Sequence, residues 1–120
     1  MSDDSNLKHN ILDHLRFEIA EISSQAKETT RAEADLLAIS FQSALIPSRH
    51  IWVSIPSVES YQFLIDLEDW EYEGTWDNSV SHVKATTLGA AVTVCAAWLE
   101  GKDVESCLSS VKDGTAFLQE

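Results

Sequence analysis

The chain is expected to fold as an α+β domain. It would have an N-terminal helical hairpin, an antiparallel meander of three to four strands, and two C-terminal helices packed on one face of the sheet. Three observations predict this. Apolar residues recur every three or four positions before Pro47, they alternate with polar ones between His50 and Ala85, and a run of small apolar residues follows from Leu88 to Leu99. A chain of 120 residues suits one domain over 1–120, with the polar residues 1–6 as a disordered tail.

Residues 7–28 read as an amphipathic helix. Leu7, Ile11, Leu15, Ile19, Ile22 and Ala26 recur at spacings of 4, 4, 4, 3 and 4, which places them on one face. Phe17 falls on the other side, as a lone exposed ring or as a contact across a helix pair or dimer interface. Thr30 with Glu33 matches a capping box and restarts a second helix, which Pro47 stops after about Ile46. Leu37, Phe41, Ala44 and Leu45 would form one face of it, and Leu36, Ile39 and Ile46 another. A helix apolar on two sides needs two partners, so Phe17, Leu36 and Ile39 are the expected dimer-interface residues of a homodimer.

Ile51, Val53 and Ile55 alternate with Trp52 and Ser54 up to Pro56, a strand pattern. Tyr61, Phe63, Ile65 and Leu67 repeat it, although a helix over 57–67 capped by Ser57 is a rival reading. The apolar parity then flips, from odd positions to Trp70, Tyr72 and Trp76. A flip needs a turn or a bulge near Glu68 and Asp69, and a tight hairpin is the preferred form. Asp77 and Asn78 suit a turn, and Ser79–Ala85 suits a short strand. Thr86 or Thr87 then caps the small-residue helix, Gly101 ends it, and Asp103 caps a last short helix.

The net charge is -12, from 20 acidic against 8 basic residues. From His50 to Val83 there is no lysine or arginine, yet seven carboxylates: Glu59, Asp66, Glu68, Asp69, Glu71, Glu73 and Asp77. A field of that sign repels phosphate backbones and anionic lipid, so neither nucleic acid nor a membrane is an expected direct partner. No apolar run has transmembrane length, the acidic start is unlike a secretory signal, and Cys95 and Cys107 read as reduced core thiols. A cytoplasmic location is therefore expected.

The residues suggest no enzyme. No nucleophile elbow, phosphate loop, HExxH spacing or calcium loop is present. Neither a cofactor nor a dedicated metal site is expected. What stands out is Asp69-Trp70-Glu71-Tyr72-Glu73, acid alternating with aromatic. In a strand this would turn the rings inward and display a row of carboxylates at intervals of about 6.6 Å. Such a row is either a solvated face that discourages edge aggregation or a docking surface for a basic protein. On the second reading the partner-binding residues are Asp66, Glu68, Asp69, Glu71, Glu73 and Asp77, and the protein is a small non-catalytic regulator or inhibitor. An immunity or antitoxin protein and a nucleic-acid mimic are versions of the same idea. A different class, a small-molecule or carbohydrate module, would use Trp52, Tyr72 and Trp76 as its walls.

Overall fold

A computed structural model describes residues 2–24, 26–29, 38–55, 62–70, 79–111 and 114–118, leaving aside the side chains of residues 2–6, 8, 9, 29 and 79. The described elements run α1 (Ser2–Ile22), β1 (Ala26–Thr29), β2 (Ala38–Ser43), β3 (Arg49–Ser54), β4 (Phe63–Asp69), β5 (Ser79–Ala85), α2 (Leu88–Leu99), α3 (Val104–Ser109) and β6 (Ala116–Leu118). The fold is α+β. Six strands form one antiparallel sheet in chain order, with α2 and α3 inserted between the neighbours β5 and β6.

Two parts of the expected architecture are corrected. The first helix begins at Ser2, inside the expected tail, and ends at Ile22, where the Ser23 amide closes its last turn on the Ile19 carbonyl at 3.0 Å. The second helix of the hairpin is not formed over its described part. Ala38–Ser43 is a strand, paired with β1 on one side and β3 on the other. The reason is visible in the residues. Ile39 and Phe41 alternate with Ser40 and Gln42, a period of two that suits a β-branched and an aromatic side chain on a pleated surface. Ile39 and Phe41, assigned to different faces of the expected helix, stand on the same core-facing side of the strand. Among the described residues the sheet consequently has six strands, not three or four.

Period-two burial builds the core. On one face of the sheet, Ile39, Val53, Ile65 and Val83 lie side by side across β2–β5, and Phe41, Ile51 and Leu67 form the next rung. All seven are buried. Helix α2 covers them, and α1 packs against α2, β1 and β2 through Leu12, Leu15 and Ile19. Each such side chain contributes about 1.5–3 kcal/mol on burial. Leu7 and Ile22 of the expected α1 face are exposed, because residues four apart drift by about 40° per step around a helix. Ile39, expected at a dimer interface, is in this core. Leu36 lies outside the described residues.

The C-terminus of α2 is held by the sheet. Lys102 donates its backbone N–H to Ala97 O and Gly101 to Trp98 O, a Schellman closure with Gly101 at φ +100°. Ser43 of β2 donates its hydroxyl to Leu99 O and accepts the amides of Leu45 and Ile46. Arg49 of β3 donates to Trp98 O at 3.0 Å and Lys102 O at 2.6 Å. No helix among the described residues is long and apolar enough to cross a membrane.

Candidate functional site

The described helices sit on one side of the sheet, so the alternate residues of β2–β5 project from the other. Register defines what stands together there. One rung runs Ser40, Trp52, Asp66, His82, and the neighbouring rungs run Ala38, Ser54, Leu64, Lys84 and Gln42, His50, Glu68. Trp52, Ser54, Leu64, Ile65, Asp66 and His82 line a shallow cleft of about 190 Å³. Within it the His82 Nε2 lies 2.7 Å from Asp66 Oδ1, with the side chains 55% and 25% exposed. Trp52, one of the three aromatics expected at a ligand site, is therefore brought to a cleft. Tyr72 and Trp76 lie outside the described residues.

The next rung is more enclosed. His50 is 6% and Glu68 5% exposed, although their parity points them away from the core. The cover is Trp70. Its ring stacks on His50 with centroids 4.0 Å apart and planes at 17°, and its indole N–H donates to Glu68 Oε1 at 3.1 Å. Its backbone N–H donates to Ser48 O at 2.7 Å, and the His50 Nδ1 lies 3.3 Å from the same carbonyl. From the core side, Trp98 of α2 donates its indole N–H to both His50 O and Glu68 O, each at 3.2 Å. One cross-strand pair is thus held between two tryptophans.

This geometry corrects the reading of the acid–aromatic run. Strand β4 does not reverse at Glu68 and Asp69. Trp70 keeps the even parity of Leu64, Asp66 and Glu68 and stands on the outer face, where it is 54% exposed. The expected bulge near Glu68 is present, as a register shift between Leu67 and Glu68 whose extra residue is on β5. Leu67 pairs with Ser81 and Glu68 with Ser79, leaving Val80 as an extra residue. Asp69 has the inward parity, opposite Arg49, and is half-buried. Of the six carboxylates expected to face a partner, Asp66 is in the cleft, Glu68 is covered, and Asp69 is at the strand end. Glu71, Glu73 and Asp77 lie outside the described residues, in the connection from β4 to β5. Phe17 is 61% exposed on α1.

The arrangement limits the chemistry. Ser54 shares the cleft with the Asp66–His82 pair, which is two members of a nucleophilic triad, but it stands on β3 while His82 stands on β5. Strands are about 4.8 Å apart, so the two backbones are separated by about 10 Å with β4 between them, a placement unlike the direct hydroxyl–imidazole hydrogen bond of a triad. Among the described residues no three of His, Cys, Asp or Glu gather to hold a metal ion. Burial pushes the Cys95 thiol far up, with Cys107 nearby adding to the effect, and it pushes the Cys107 thiol to about 11. Neither is an activated nucleophile.

Sequence reasoning missed His50, Trp70 and His82 as members of one surface. The available signal was parity. Trp52, Asp66 and His82 all sit opposite to the apolar set of their own strand. No family model matches the chain, and no curated protein or solved structure matches it either.

Proposed function

We propose that this chain is a non-catalytic protein, a regulator or inhibitor, that acts by binding a basic protein through the helix-free face of its sheet. The observation that carries this reading is the cleft of Trp52, Asp66 and His82 on that face. Its volume of about 190 Å³ is below the roughly 300 Å³ at which small-molecule pockets begin, so a protruding side chain of a protein fits its size better than a free ligand. Trp52 and Trp70 add the aromatic area that protein interfaces favour. The electrostatics set the partner's sign. The chain carries a charge of -12, and the residues that line the cleft, from Trp52 to His82, lie in the stretch without lysine or arginine from His50 to Val83, although Arg49 begins β3 and Lys84 stands on β5 just beyond it. Long-range attraction of that kind accelerates encounter with a basic surface.

The test is capture of partners from native lysate by the wild-type chain and by a variant carrying Trp52→Ala and Asp66→Lys. A basic partner held at low salt should be lost from the variant and from both baits at high salt. Equal capture of the same partner by both baits at low salt would count decisively against this face.

A further inference from the structure

We infer that the cleft on the outer face is a receptor for a single arginine side chain, its guanidinium lying on the Trp52 indole with N–H groups turned to the Asp66 carboxylate. The inference rests on the proposed basic partner and names what of it is recognised. Four features favour arginine. The wall is an indole, the best aromatic surface for a cation. Leu64 lines the same cleft and offers an apolar contact for the methylene stem. Asp66, 25% exposed, sits partly out of water, where a charge-assisted hydrogen bond is stronger than at a free surface. A guanidinium is planar, carries five donors and is weakly hydrated, so it stacks and pairs at once. An ammonium is a compact, strongly hydrated point charge that does not match a flat ring.

The surroundings are consistent with a cation. A carboxylate accepts up to about four hydrogen bonds, so the pairing with His82 is compatible with a second donor. His82 also holds the carboxylate in a fixed orientation, which lowers the entropy lost on binding. On the same face Glu68 stands on the adjacent rung, Lys27 lies on β1 opposite Gln42, and Lys84 lies two residues along β5 from His82, opposite Leu64. The Lys84 ammonium opposes an incoming cation and sets an upper bound on affinity. Lys84→Gln should therefore tighten binding by about twofold.

The experiment is a titration of the full chain with N-acetyl-arginine methylamide, followed by NMR at the Trp52 indole N–H and the His82 ring. The citrulline analogue serves as the uncharged control of the same shape. Saturable shifts confined to Trp52, His82 and their neighbours are expected, with a dissociation constant on the order of 10 mM. Citrulline should bind at least about tenfold more weakly, and Asp66→Asn, which preserves shape, should reduce the arginine response by a similar factor. Equal response to arginine and citrulline overturns the inference, and so do unsaturable shifts scattered over the acidic surface. Silent cleft signals, with partner capture still dependent on Trp52 and Asp66, remove the arginine assignment alone. Capture that ignores both residues removes the functional reading itself.

Discussion

Trp98 shows how much one side chain can connect. Its indole N–H is shared by the carbonyls of His50 and Glu68, and the Arg49 guanidinium lies 3.8 Å above its ring while donating to the Trp98 and Lys102 carbonyls. A buried tryptophan is costly unless its N–H finds an acceptor, and here it finds two on adjacent strands. The same two residues carry the side chains that Trp70 covers from outside. Removing the N–H therefore acts on the core and on the outer face together. Trp98→Phe is expected to destabilise the fold by about 1–3 kcal/mol, the cost of losing the donor and part of the cation–π contact. Urea denaturation measures the loss. The ring signals of His50 and the indole N–H of Trp70 should shift in the folded variant, whereas the backbone amide and methyl signals of Ala90, at the other end of α2, should not.

At the scale of elements, α2 is the helix the sheet was built to receive. Its last turn contains no basic residue, yet Arg49 supplies the cation from β3 and Ser43 supplies a hydroxyl from β2. Gly101 completes the closure. A Cβ there would sit 3.2 Å from Ile46 Cδ1 on a backbone at φ +100°. Gly101→Ala should accordingly cost about 1–2 kcal/mol, seen as a lower urea midpoint with an unchanged slope. The elements differ in how readable they were. Strand β3 was legible because Ile51 and Val53 alternate with Trp52 and Ser54, and α2 because Thr87 and Gly101 bracket it. Strand β4, with apolar Leu64 between Phe63 and Ile65, also admitted a helix over 57–67, which the strand Phe63–Asp69 replaces over its described part. Strand β2 was not legible. Six residues of alternation, Ala38–Ser43, were outweighed by the capping pattern at Thr30 and Glu33 and by apolar neighbours that also satisfy a helical period. Short apolar stretches fit both periods, and only the pairing of Ile39 with Val53 and Phe41 with Ile51 decides between them.

Across the whole molecule, the layers explain why the surface was less legible than the core. Burial follows from a residue's own neighbours in sequence, but a surface site follows from register. Asp66 meets His82 because β4 and β5 pair at that offset, and residues 70–78 between them are too many for a two-residue hairpin rule to fix the offset from sequence. The charge balance was readable directly, and it supplies the clearest discrimination between the two kinds of association the outer face could support. A basic partner is attracted by the net charge of -12, so salt weakens that complex. A second copy of the chain carries the same charge, and joining two such faces brings Asp66 toward its own counterpart. Salt screens that repulsion and strengthens the homodimer. The two readings thus have salt slopes of opposite sign, with no variant needed. We expect a monomer in sedimentation equilibrium at low ionic strength, and a partner complex whose affinity falls about tenfold between roughly 50 and 300 mM salt. A dimer already present at low salt and unaffected by added salt must be held by apolar contacts away from this face. In that event the exposed Phe17 of α1 becomes the surface to mutate, and Phe17→Glu should dissociate it.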